Sequence, residues 1–103
     1  MKYSRDPFFS EKIKKNDRMI RRIRKGSIPD KLYALVLPDG RNRFELFPPM
    51  LTKQKYFKDY PGTVVGFASS GEEGRELMAS LLTTAYRNDL MNDLGKLFPE
   101  ENA

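Results

Sequence analysis

Apolar residues in the first quarter of the chain recur at Phe9, Ile13, Ile20 and Ile23, with Asn16 in the gap. Steps of four and three place these positions on one narrow stripe of a helix. Two starts are available. Asp6 and Pro7 offer an N-cap followed by proline at the first helical position, and Ser10 with Glu11 offers another. Gly26 ends the helix because it tolerates a left-handed backbone, and Pro29 prevents any continuation. The period then changes. Residues 31–37 are a short, nearly unbroken apolar run that suits a strand buried on both faces. Pro38, Asp39 and Gly40 supply a turn. Residues 41–47 alternate, with Phe44 and Leu46 on one face and Arg43 and Glu45 on the other, as the return strand of an antiparallel hairpin.

Pro48 and Pro49 stop that strand. Residues 50–60 are compatible with one or two helical turns, closed by a turn at 59–62. Residues 63–68 form a third short apolar strand, in which Gly66 signals a bulge or a close backbone approach. Ser70 and Glu73 have the spacing of a capping box, each side chain satisfying the other residue's free N–H. The helix they open carries Leu77, Met78, Leu81, Leu82, Ala85 and Tyr86 on one broad face and so packs on the sheet. Beyond Tyr86 the stripe drifts through Leu90, Leu94 and Leu97. Asn88 and Asp89 offer a break and a fresh N-cap, Pro99 ends the helix, and residues 100–103 are expected to fray. The expected fold class is α+β: a small three-stranded sheet, made of the hairpin plus a third strand, covered on one face by the C-terminal helix and preceded by a basic N-terminal amphipathic helix. Residues 1–27 read as a basic helical arm and residues 28–103 as the small α+β domain.

Charge sharpens this division. Residues 1–27 hold ten Lys/Arg and three Asp/Glu, a formal +7, while residues 28–103 hold nine and eleven, a balance of −2. The whole excess of +5 therefore lies in the arm. Cysteine and histidine are absent, which excludes Cys/His zinc sites, thiol nucleophiles, disulfides and every Ser/His arrangement. No apolar stretch follows the first residues, so a signal peptide is not expected, and the run at 32–37 is far short of a membrane span. A soluble cytoplasmic protein is the expectation.

Two sets of residues stand out as contact sites. Lys14, Lys15, Arg18, Arg21, Arg22, Arg24 and Lys25 can lie along nucleic-acid phosphates, where counterion release gives affinity without sequence readout. A membrane surface suits the arm less well, because Asp17 interrupts the charge and Asn16 the stripe. Phe9, Ile13, Ile20 and Ile23, together with Leu90, Leu94 and Leu97, are candidate interface residues. The tail stripe runs past the end of a short sheet and must be covered, either by the arm or by a second copy of the chain in a homodimer.

The remaining patterns carry less. In residues 53–60, lysines interleaved with Tyr56, Phe57 and Tyr60 suit either single-strand stacking or ordinary packing under a sheet. The glycine-containing turn at 66–74 lacks the Lys-Ser/Thr of a phosphate loop, and Glu72 and Glu73 would repel an anion there. Glu72, Glu73, Glu76, Asp89 and Asp93 are carboxylates on which nothing else converges. No catalytic residue, metal, cofactor or small-molecule substrate is expected. The expected function is that of a non-enzymatic small binding protein, nucleic-acid-associated through its Arg/Lys-rich helix. The alternative is a protein–protein interaction or assembly module with the isoleucine stripe as contact. On the nucleic-acid reading, removing residues 1–27 should abolish binding and leave the fold intact.

Overall fold

The computed structural model describes residues 1–98; the expectations for Pro99 and residues 100–103 lie outside the described residues. Its elements run β1 (Lys2–Phe9), α1 (Asp17–Arg24), β2 (Tyr33–Pro38), β3 (Glu45–Phe47), α2 (Pro49–Thr52), α3 (Lys55–Lys58), β4 (Gly62–Ala68) and α4 (Gly71–Arg87), followed by a 3-10 turn at Leu94–Leu97. The class is α+β, with a four-stranded sheet in the order β1-β4-β2-β3. Strand β2 is antiparallel to both neighbours, while β1 runs parallel to β4.

The apolar run of β2 has the double burial its composition implies: Ala34, Leu35 and Val36 are fully excluded from water. Alternate residues of a strand point to opposite faces, so this run needs cover on both sides. Ala34 and Val36 pack with Ile23, Ile28, Leu32 and Phe57 in a first core. Leu35 packs with Leu77, Met78 and Leu81 of α4 in a second. Helices therefore cover both faces of the sheet, not one. Burying a Val, Leu or Phe side chain fully is worth about 1.5–3 kcal/mol, and the two cores share their cost of ordering through a single layer of backbone.

The first 27 residues are not a separable helical arm. Residues 2–9 form the fourth strand, at the sheet's edge. Asp6 and Pro7, which resemble a helix start, instead lie in a detour where β1 leaves its partner. Tyr3 opposes Val64 and Phe8 opposes Gly66, so Ser4, Arg5, Asp6 and Pro7 face Val65 alone. An edge strand accepts proline because its outward N–H groups have no ladder partner to lose. Phe9 stacks on Phe67 in the first core, ring centroids 5.5 Å apart, while Phe8 meets Phe98 edge-on at 6.0 Å on the other side.

Helix α1 begins only at Asp17. Asn16 is its N-cap, Oδ1 accepting the Met19 N–H at 2.8 Å, and not a polar gap in a longer stripe. Phe9 and Ile13 thus belong to a strand and a loop; both still pack against the first core. The helix ends where glycine predicts. Gly26 has φ +82°, and the Ser27 and Gly26 N–H groups bond the Arg22 and Ile23 carbonyls at 2.9 and 2.8 Å.

The hairpin is present with a shorter return strand, residues 45–47 in place of 41–47. The missing residues are diverted to the C-terminal turn: the Asn42 amide donates to the Met91 carbonyl at 2.6 Å and its oxygen accepts the Leu94 N–H at 2.8 Å. Helix α4 stops at Arg87, at the expected break. No new helix is capped there. Asp89 takes φ 58° and the Leu90 N–H returns to the Ala85 carbonyl at 2.7 Å, closing the helix end. The tail then folds back so that Leu94 is 2% and Phe98 9% exposed. Leu97 and Phe98 lie in the second core and Ile23 in the first. The tail stripe and the α1 seam therefore do not meet; the sheet stands between them.

Gly66 supplies both features its position implies. Val65 is an extra residue on β4, because Leu35 pairs with Gly66 and Val36 with Val64. A Cβ at Gly66 would lie 3.0 Å from Leu77 Cδ2 and 3.2 Å from the Phe8 carbonyl oxygen. Gly66→Ala should therefore lower stability by about 1–3 kcal/mol, read as a reduced urea midpoint at unchanged m-value. Removal of residues 1–27, which takes away β1 and Ile23, should abolish the cooperative unfolding transition in circular dichroism.

Candidate nucleic-acid interface

Helix α1 is short, and its stability comes from its ends and its seam. The Asn16 cap and Asp17 suit the positive N-terminus, and Arg21, Arg22 and Arg24 suit the negative C-terminus. One side docks: Ile23 is 3% exposed, and Met19 packs against the same core. The rest of the surface is cationic, since Arg18, Arg21, Arg22, Arg24 and Lys25 are all exposed, as are Lys14 and Lys15 in the loop before the helix. Among the described residues none of these seven forms an ion pair within 4.0 Å. Lys15 does sit over the Phe9 ring, 5.2 Å from its centroid. The structure thus keeps all seven of these cations on one helix, its C-cap and its leading loop.

The same side of the sheet carries α3, whose Phe57 is buried in the first core while Lys55, Tyr56 and Lys58 face solvent. Of the three aromatics in this segment only Tyr56, 62% exposed, presents a ring. Tyr60 is held in place, its hydroxyl donating to Glu45 at 2.9 and 2.8 Å, and this bond pushes the phenol's pKa up. Lys53 is also engaged. It bonds the Ile28 carbonyl and sits 3.0 Å from Asp30, which tethers the loop after α1 to the α2–α3 segment. The Asp30 carboxyl is held below its ordinary range first by the Lys53 hydrogen bond, then by the charges of Lys53 and Arg22.

The glycine-containing turn at the start of α4 is occupied by the protein's own carboxylate. Ser70 Oγ accepts the Glu73 N–H at 3.1 Å, which is half of a capping box. The reciprocal half is absent, because the Glu73 carboxylate turns away to the segment after β1 and to Ser69. It accepts the Ser69 hydroxyl at 3.0 Å and the Ser10 hydroxyl, and lies 3.7 Å from Lys12 Nζ. Ser10 Oγ in turn accepts the Ser69 N–H at 3.1 Å. This knot fastens the end of β1 to the start of α4. Its signal was faint in the sequence: Ser10 looks like a cap for a helix that starts seven residues later.

Of the interface candidates, Ile23 and Leu94 are fully buried, and Phe9, Ile13, Ile20, Leu90 and Leu97 are half-buried. The exposed large apolar side chains are others: Met50, Tyr56, Tyr86, Met91 and Phe8. Among the described residues no three His, Cys, Asp or Glu side chains gather as a metal site, and no helix is long and apolar enough to cross a membrane. Comparison with protein-family models, with curated proteins and with solved structures finds no match for this chain.

The Glu73 knot makes stability depend on pH. The Ser10 hydroxyl, followed by Ser69 and Lys12, holds the folded-state carboxyl below the ordinary glutamate range. A carboxyl that ionises more readily in the folded than in the unfolded state stabilises above its unfolded value, and that contribution is lost as pH falls through the depressed folded value. Glu73→Gln should therefore be less stable than the parent chain at neutral pH, with the difference closing in acid, as measured by urea unfolding across pH.

Proposed function

We propose that this chain is a non-enzymatic binding protein that engages nucleic acid through the outward face of α1. The observation that carries the reading is that the helix spends Ile23 on the core and leaves Arg18, Arg21, Arg22, Arg24 and Lys25 exposed, with no ion pair among the described residues. Five cations on a docked helix of eight residues and its cap repel one another. They are best satisfied by an external polyanion. Arginine's planar fork suits phosphate pairing, and a rigidly seated helix loses little entropy on binding. Phosphate contacts of this kind fix position without reading sequence.

The assembly reading rests on the same helix and has less behind it. Its seam residue Ile23 is committed to the chain's own core, and the tail leucine Leu94 is likewise buried. A partner would have to meet the cationic face.

The test is fluorescence anisotropy with random-sequence DNA between about 50 and 200 mM salt, where the electrostatic contribution changes steeply. With about four to five phosphates neutralised, log affinity should fall against log salt with a slope of about −4. Arg21→Glu with Arg22→Glu should remove most of the affinity and leave the unfolding transition in place, since both side chains are exposed. Absence of binding at about 50 mM salt defeats the proposal.

A further inference from the structure

Tyr56 is an aromatic ring that neither core uses. Helix α3 turns Phe57 inward, where it is 1% exposed, and so carries Lys55, Tyr56 and Lys58 on its outer sides. Tyr60, fixed on Glu45 through its hydroxyl, braces the ring, with centroids 5.8 Å apart and planes at 59°. Tyr56 is nevertheless 62% exposed. A ring with two χ angles, already held against a fixed neighbour, loses little conformational entropy when something stacks on it.

The lysines beside it are open to an anion. Lys55 and Lys58 are exposed and form no ion pair within 4.0 Å among the described residues. Asp59, at the C-cap of α3, bounds this cationic edge. Lys53 is engaged by Asp30 and the Ile28 carbonyl, a contact that joins the end of α1 to the α2–α3 segment. Arg22 acts on the same Asp30 carboxylate, and Phe57 shares the first core with Ile23. The cationic face of α1 and the outer edge of α3 therefore lie on one side of the sheet, with the Asp30–Lys53 pair between them. An unpaired strand presents together the two groups that this surface accepts, a base with a free π-face and phosphates on either side of it. We propose that Tyr56 stacks a base of a single-stranded nucleic acid whose phosphates pass from the α1 face to Lys55 and Lys58. The inference rests on the nucleic-acid reading above and narrows it to unpaired strands, because the bases inside a duplex already have both faces covered by their neighbours.

The test uses the full chain with a labelled random-sequence DNA strand of about 12 nucleotides, within the usual single-strand site range, the duplex of the same length, and poly-glutamate. The strand should bind more tightly than the duplex. Tyr56→Ala should weaken strand binding about tenfold, leave duplex binding unchanged, and leave the slope of log affinity against log salt unchanged, since it removes a stacking surface and no charge. Tyr56→Phe should restore the affinity and Tyr56→Leu should not. In the parent chain, the strand should shift the Tyr56 ring protons upfield, the ring-current signature of a stacked base. Equal binding of strand and duplex, with Tyr56→Ala neutral for both, overturns the inference and leaves the electrostatic reading standing. Full affinity in Tyr56→Leu overturns stacking in favour of a plain apolar contact. Poly-glutamate bound as tightly as the strand overturns the inference in favour of an acidic protein partner. No binding of strand or duplex overturns both readings.

Discussion

Strand β4 is hydrogen-bonded to β1 on one side and β2 on the other, and residues 64–68 are excluded from water on both faces. Such a strand has no polar surface to offer. Its five inner residues must be small or apolar, its backbone groups must all be paired laterally, and whatever lies above and below must fit it. Those demands propagate. The extra residue at Val65 displaces the side-chain alternation, so that Val64 and Phe67 reach the first core and Val65 the second. Gly66 then lets α4 approach, since a Cβ there would lie only 3.0 Å from Leu77 Cδ2. On the other flank the same irregularity coincides with the four-residue detour of β1. One surplus residue in β4 thus sits where the helix comes close on one face and where the edge strand departs from its partner.

The charge distribution follows from this burial. A two-faced core in a chain of 103 residues uses most of the apolar side chains for the sheet, and each covering helix can bury only one narrow seam. Helix α1 shows the limit, with Ile23 inward and arginine or lysine over most of the rest. The fold does not oppose the cationic surface; it places it, because a helix held by its cap, its Gly26 terminus and one buried isoleucine keeps its other sides free. Core-packed and solvent-facing cationic positions are divided by face, on the same eight residues.

What could be read from residues alone was local. Residues 34–36, the turn at Gly40, the Ser70 cap and the stop at Gly26 each depend on neighbours in sequence, and each is where its chemistry puts it. Gly66 was also legible, because glycine inside an apolar strand has few other uses. The N-terminal strand was not. Tyr3 and Phe9 acquire their inward directions from β4, more than 50 residues away, and nothing near them marks a strand. Asn16 misled for a related reason: a cap and a polar gap in a helical stripe are the same residue seen from two registers. Of the candidate site, the seven cations were evident as charge, and their freedom from intramolecular pairing needed the fold.

The parallel pairing of β1 with β4 also orders events during synthesis. The N-terminal strand leaves the ribosome first, yet its partner at residues 62–68 is made only after the hairpin and both short helices. The hairpin can pair locally as it emerges. Residues 2–9 cannot, and closing a loop of that length carries an entropic cost that delays the contact. The earliest part of the chain is therefore among the last to be seated. Until β4 is made, Tyr3 and Phe9 lack the strand that buries them, next to the most cationic stretch of the molecule.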